Sequence, residues 1–210
     1  MSRWNMAPPA KSLTTTSHAL LGLLSLRSWT TYELAKQVQQ SLGWFWPRAE
    51  RKLYDEPKRL VAAGLAKSAQ EMTGARPRTI YTVTARGRRA LRAWLDKPPA
   101  PPSLEFEGLV KVFFADGGTL EQLRTTLTSI ADMADARLAE LEAKVVQNAA
   151  PEVPFPERRP INQVALRFQL DHERLIGTWA RWALDQTAGW RSTTDPGSWT
   201  YRHTSSSTNS

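Results

Sequence analysis

The chain has 210 residues, 41% of them hydrophobic, with nine Trp and a formal net charge of +8. That length allows one or two small domains with a real core, and the lack of cysteine excludes a disulfide framework and thiolate zinc sites while fitting a reducing cytoplasm. Charge is unevenly placed: residues 1–97 hold 17 Lys and Arg against 6 Asp and Glu, net +11, and the remainder is net −3, a pattern that suggests a polyanion-binding half joined to a partner-binding half.

Residues 1–12, with Pro8-Pro9 and few apolar side chains, read as a disordered arm with no signal-peptide core. A first helix is expected over about 16–26, with Leu20, Leu23 and Leu24 facing the core. Thr30 and Glu33 have capping-box spacing and open a second helix, with Leu34, Ala35, Val38 and Leu42 on one face and Gly43 as its stop. Trp44, Phe45 and Trp46 bridge to Pro47, a favourable first-turn residue. A third helix then spans 47–63, burying Ala49, Leu53, Leu60 and Val61. Pro57 inside it removes a hydrogen bond and collides with the Leu53 carbonyl, so the helix kinks or splits there.

Gly64 ends that helix, in the left-handed conformation. Residues 65–72 read as a strand, 73–77 as a turn and 79–83 as the returning strand. Thr84 caps a fourth helix to about residue 95, carrying Arg86, Arg88, Arg89 and Arg92. The prolines of 98–102 stop it and make a stiff linker.

The second half is helical. Ser103 is placed to cap a short helix, with Glu105 in its first turn and Phe106, Leu109, Val110 and Phe113 on one face. Gly117 and Gly118 break it, and Thr119 with Gln122 has capping-box spacing. Leu120, Leu123, Leu127, Ile130, Ala134, Leu138, Leu141 and Val145 then recur at near-heptad intervals along one long helix. A Pro-rich break over 148–160 precedes a last helix over 162–188, bearing Val164, Phe168, Leu175, Trp179 and Trp182. Residues 190–210 are Ser/Thr-rich and read as a disordered tail.

Helices followed by an Arg-tipped hairpin make a winged helix-turn-helix. The expected fold is mainly α with a small two-stranded β-wing. A DNA-binding domain fills 13–97, the linker 98–102, and a helical dimerisation and effector domain 103–189. N-terminal residues of a reading helix reach base edges and later ones meet phosphate. Arg48, Arg51 and Lys52 are therefore placed nearest double-stranded DNA, followed by Lys58 and Arg59. Tyr54 either donates its hydroxyl to a phosphate or packs inward. Arg76 and Arg78 flank the wing turn, facing backbone or minor groove.

The long apolar seam has to be covered. It packs on helices of its own chain or on a second subunit; Leu120, Leu123, Leu127, Ile130, Leu138 and Leu141 are assigned to a homodimer interface. Trp94, Trp179 and Trp182 are candidate contacts for a flat apolar effector, with ordinary core packing as the alternative. No metal, cofactor or membrane span is expected. Asp171, His172 and Glu173 form the one acid–His cluster, but consecutive helical positions diverge, and no zinc-protease, phosphate-loop or serine-hydrolase motif is present. An enzyme is not expected.

The motifs Leu53-Tyr54, Lys58-Arg59-Leu60, Gly64-Leu65 and residues 78–84 with Gly87, followed by Trp94-Leu95, resemble those of PadR-type transcriptional regulators. The likeness covers about 13–95 well and the rest to 188 in layout only. It implies a dimeric repressor of a nearby promoter, often released by a small, commonly aromatic, effector. The expected protein is therefore a cytoplasmic homodimer that binds an inverted repeat. Pro57 departs from the family pattern, where an apolar helix-former is usual. A winged-helix adaptor that binds protein instead of DNA is the alternative reading.

Overall fold

The computed structural model describes residues 12–43, 45–46, 54–73, 76–150, 152 and 154–200, apart from the side chains of Thr73 and Arg76. The chain divides into two compact units, Met1–Pro101 and Pro102–Ser210.

In the first unit, α1 (Thr15–Leu26) starts at a reciprocal capping box between Thr14 and Ser17 and buries Leu20, Leu21 and Leu24 almost completely. A short strand β1 (Trp29–Thr30) leads into α2 (Thr31–Ser41), capped by Thr30 and Glu33 as expected and burying Leu34 and Val38. Then follow α3 (Glu56–Ala62), β2 (Ala66–Thr73), β3 (Arg76–Val83) and α4 (Ala85–Leu95). The sheet is antiparallel, in the order β1-β3-β2. It has three strands, not the two expected. β1 is too short to show a period-two pattern, and its Thr30 is also the cap of α2. It is held by Trp29, which pairs with Tyr81, donates its indole N–H to the Leu23 carbonyl at 2.8 Å and lies under the Arg27 guanidinium.

α3 differs from the expected 47–63 helix. Tyr54 and Asp55 form a turn and the helix starts at Glu56, with Pro57 in its first turn. Proline has no N–H to give, and in a first turn none is needed, so the chain places its helix start there. Residues 47–53, with the expected stripe members Ala49 and Leu53, lie outside the described residues; Leu60 is fully buried. The hairpin is also tighter than expected: its ladder runs out to Thr73 and Arg76, leaving two intervening residues outside the described set.

Two glycines join helix, wing and helix. Gly64 ends α3 at φ 69°, where a side chain would be strained. Gly87 sits so close to β2 that a Cβ would meet the Leu65 carbonyl oxygen at 2.1 Å. The Thr84 hydroxyl caps α4 by accepting from the Gly87 N–H and donates to the Gly64 carbonyl at 2.8 Å.

In the second unit, α5 (Glu107–Phe113) packs on an antiparallel hairpin of α6 (Leu120–Ala149) and α7 (Arg159–Thr187). Thr119 and Gln122 form the expected capping box of α6. Ser103 does not cap α5; Phe106 is its N-cap residue and makes no side-chain cap bond. α5 turns Val112 toward Ile130 and Leu127, and Gly108 lets its backbone reach Ile130, where a Cβ would stand 2.8 Å from Cδ1. Phe106, Leu109, Val110 and Phe113, expected on one face, line with Leu104 and Phe114 an open apolar cup of about 310 Å³, and Leu109, Val110 and Phe113 are exposed.

The α6 seam is covered within its own chain. Leu123 and Leu127 pack on Ala183, Ile130 on Ala180, and Leu141 on Leu166 and Leu170. Leu120 and Leu138 are half-buried beside them. Of the two coverings considered for the seam, the own-chain one is found for Leu123, Leu127, Ile130 and Leu141, while Leu120 and Leu138 keep part of their surface and Val145 is exposed. Arg181 grips Asp135 with bonds of 3.0 Å to both carboxylate oxygens, and Arg124 donates to the Thr187 and Ala188 carbonyls at the end of α7. Residues 190–200 are not a structureless tail. Trp190 joins the Leu123–Leu127 cluster, Trp199 meets it edge-on, and the Trp199 indole donates to Gln186 Oε1 at 2.6 Å. The aromatic pair outweighs the Ser/Thr-rich composition that suggested disorder.

Candidate nucleic-acid interface

The first unit presents α3 and the wing from one rigid core. Leu60 anchors α3, and Leu65, Ala66, Tyr81 and Val83 anchor the base of the hairpin. Toward its tip the hairpin becomes exposed, and there Arg78 lies opposite Glu71, 3.6 Å apart. The Tyr54 side chain is 67% exposed, so of its two readings the outward one is found. Lys58 is also outward, loosely paired with Asp55 at 3.9 Å. Exposed pairs of this kind contribute little and are easily exchanged for phosphate.

Arg59 is placed differently. Its Nη1 donates to Glu56 Oε2 at 2.7 Å, and Glu56 is buried, receiving a second hydrogen bond from the Ser17 hydroxyl on α1. Glu56 was not among the candidate residues; the sequence signal that could have found it is its place directly before Pro57, a favoured first-turn residue. The expected DNA residues Arg48, Arg51 and Lys52, and the side chain of Arg76, lie outside the described set. Lys67 on β2 is a further exposed cation beside the wing that the reading passed over.

Of the three candidate effector residues, Trp94 belongs to the first unit, where one face of its indole stacks on His18 at 4.9 Å and 8°. His18 is buried; its Nδ1 donates to the Thr14 carbonyl, and burial holds the imidazole below its ordinary pKa. Trp179 is half-buried, edge-on to Phe106 and packed against the Leu123–Leu127 and Ile130–Ala180 clusters. Trp182 is exposed on α7. The acid–His cluster does not assemble: Asp171 is exposed and paired with Arg167 and Arg174, which hold its carboxyl below the usual range, while Glu173 is buried. Among the described residues no group of side chains could hold a metal, and no helix is long and apolar enough to cross a membrane.

A tri-helical core carrying a three-stranded sheet, with an exposed basic hairpin beside α3 in a strongly basic unit, defines a winged-helix DNA-binding protein. Residues 20–93 match the model of the transcriptional regulator PadR-like family, and residues 107–187 match that of the virulence activator alpha C-terminal region. Residues 20–93 thus carry the transcriptional regulator PadR-like family's domain. It is 23% identical over 166 residues to the negative transcriptional regulator PadR of Bacillus subtilis, covering 77% of this chain and 91% of that one. The structure of that PadR with operator DNA matches at TM-score 0.71 and 22% identity, over 82% of this chain and 99% of the other; its complex with p-coumaric acid matches at 0.67, 22% identity, 82% and 98%. The virulence activator AphA of Vibrio cholerae matches at TM-score 0.64 and 25% identity, over 81% of this chain and 96% of the other.

Proposed function

We propose that the protein is a homodimeric cytoplasmic repressor that binds an inverted-repeat operator and is released by a small aromatic effector. The observation that carries the DNA-binding reading is the exposure of Tyr54 before α3, of Lys58 on α3 and of Arg78 on the wing, in a unit with net charge +11. Arg48, Arg51 and Lys52, which precede α3 in the sequence, and Arg76 are proposed as further DNA contacts. The solved complex of the Bacillus subtilis relative with operator DNA supports the same use of this fold.

The dimer rests on a second stripe of α7. Ile161, Phe168, Leu175 and Trp182 recur every seven residues and are 58%, 65%, 67% and 44% exposed, while Leu166, Leu170 and Ala180 face α6. A seven-residue apolar repeat on the outside of a helix suits a second helix packed along it. The twin therefore covers this stripe and not the α6 seam. The effector reading is supported by the p-coumaric acid complex of the same relative and, in this chain, by the exposed Trp182.

The test is titration of a labelled promoter fragment from the protein's own locus at low salt, repeated as salt rises. Binding should weaken steeply, and Lys58→Ala should reduce the log–log slope by about 0.9. Repression also requires that transcription from the fragment falls when protein is added. A protein that ignores the fragment at low salt does not have this function.

A further inference from the structure

The Ser17–Glu56–Arg59 cluster can be read proton by proton. The Ser17 hydroxyl hydrogen goes to Glu56 Oε1. Its oxygen must then accept the other two bonds, from the Thr14 N–H at 2.9 Å and the Thr14 hydroxyl at 3.0 Å. Thr14 Oγ1 in turn accepts from the Ser17 N–H. The cap of α1 therefore delivers one fixed donor to a carboxylate on α3. Glu56 is 2% exposed and Ser17 fully buried. The second carboxylate oxygen takes the Arg59 Nη1 hydrogen at 2.7 Å, and the Arg59 side chain is still 42% exposed.

A buried ion pair is seldom favoured over a well-packed apolar pair on stability grounds alone, yet losing one partner is costly. Arg59 is therefore held as the counterion of Glu56, while the rest of its planar fork of N–H donors faces outward. A guanidinium fixed on one edge loses less freedom on meeting a second planar acceptor such as guanine or phosphate. We propose that Glu56 is a positioning residue for DNA reading, acting through Arg59: the Ser17–Glu56 bond sets the carboxylate, and the carboxylate sets the outward edge of the guanidinium. This rests on the DNA-binding reading above. Pro57 belongs to the same device, since a helix starting at Glu56 brings the carboxylate to the α1 cap and Arg59 to it three residues later.

The experiment is a double-mutant cycle on operator affinity in the full-length protein, using Glu56→Gln and Arg59→Gln, with thermal unfolding followed alongside. Glu56→Gln keeps an acceptor for Ser17 but loses the ion pair. Each single variant is expected to weaken operator binding about tenfold, and the double variant no more than Arg59→Gln alone. A merely structural Glu56 gives additive losses, and additivity overturns the proposal. Should Glu56→Gln unfold, Arg59→Lys decides: it keeps a charge for Glu56 but has no fork. Operator affinity should fall about tenfold with binding to unrelated DNA retained, and wild-type operator affinity overturns the proposal. A wild-type protein that binds the operator while its variants add up refutes the clamp alone; one that ignores the operator refutes the DNA-binding reading and the clamp with it.

Discussion

The two units treat their apolar side chains in opposite ways. In the first, Leu20, Leu21, Leu24, Leu34, Leu60 and Val38 are sealed to 1% exposure or less, and the polar groups among them are matched bond for bond around Ser17 and Glu56. In the second, the α6–α7 hairpin buries a slender row of Leu, Ile and Ala and leaves the outer sides of α5 and α7 apolar. Thirteen of the eighteen large hydrophobic residues that stand exposed among the described residues lie in the second unit, so uncovered surface is concentrated where a twin is proposed. The described part of the winged unit closes over its own core; the helical unit keeps apolar surface that the proposed twin would cover.

The largest effect should come from charging the outer stripe of α7. Phe168→Glu with Leu175→Glu should leave helix content intact and convert a dimer to a monomer by light scattering. It should also weaken binding to an inverted repeat by at least about 100-fold, because the linked second half-site is lost. A double variant that stays dimeric breaks the proposed division between the units. Next is Gly87→Ala. Its Cβ would collide with a backbone carbonyl that cannot swing away, so the first unit should lose at least about 2 kcal/mol, seen as a fall in its melting temperature of roughly 8 °C or more. An unchanged midpoint would show that the wing and α4 have more slack than their geometry implies. Smaller again is Thr119→Ala, which removes the α6 cap and should cost about 1 kcal/mol in urea unfolding of the second unit.

The smallest effect is one of pH. Bonds from the Thr30 N–H and hydroxyl, with Arg27 beside them, lower the Glu33 carboxyl from 4.5 to about 2. A pKa depressed by folding contributes stability that is complete above about 4.5 and fades as pH falls toward 2. Unfolding midpoints of wild type and Glu33→Gln should therefore differ at neutral pH and converge below pH 3. A gap that persists in acid would assign the cap's contribution to packing instead of charge.

How much was legible in the sequence follows the range of the forces involved. Caps at Thr30, Thr84 and Thr119 and the stop at Gly64 were readable because each depends on residues three or four places apart. The α6 seam was readable as apolar, but its partner was not, since Ala180 and Ala183 on α7 carry no strong periodic signal. β1 was missed because two residues cannot show alternation. The fold-back of residues 190–200 depends on Trp190 and Trp199 finding each other and Gln186, which local composition does not encode. In the candidate site, charge singled out Lys58 and Arg78, which stand exposed, whereas the place of Glu56 is set by Ser17, thirty-nine positions away in the chain.

Gly177 has a mechanical consequence. It faces Ala134, whose Cβ would lie 3.4 Å from an added Cβ, and on its other side it abuts the Arg181 guanidinium that grips Asp135. Sliding α7 by one turn, about 5.4 Å, would set the longer Glu173 or Arg181 against Ala134 and break the Arg181–Asp135 bonds. The small residue and the ion pair together favour the present register. A rearrangement that keeps both moves α6 and α7 as a pair, by tilt or rotation, and not as a ratchet of one helix past the other.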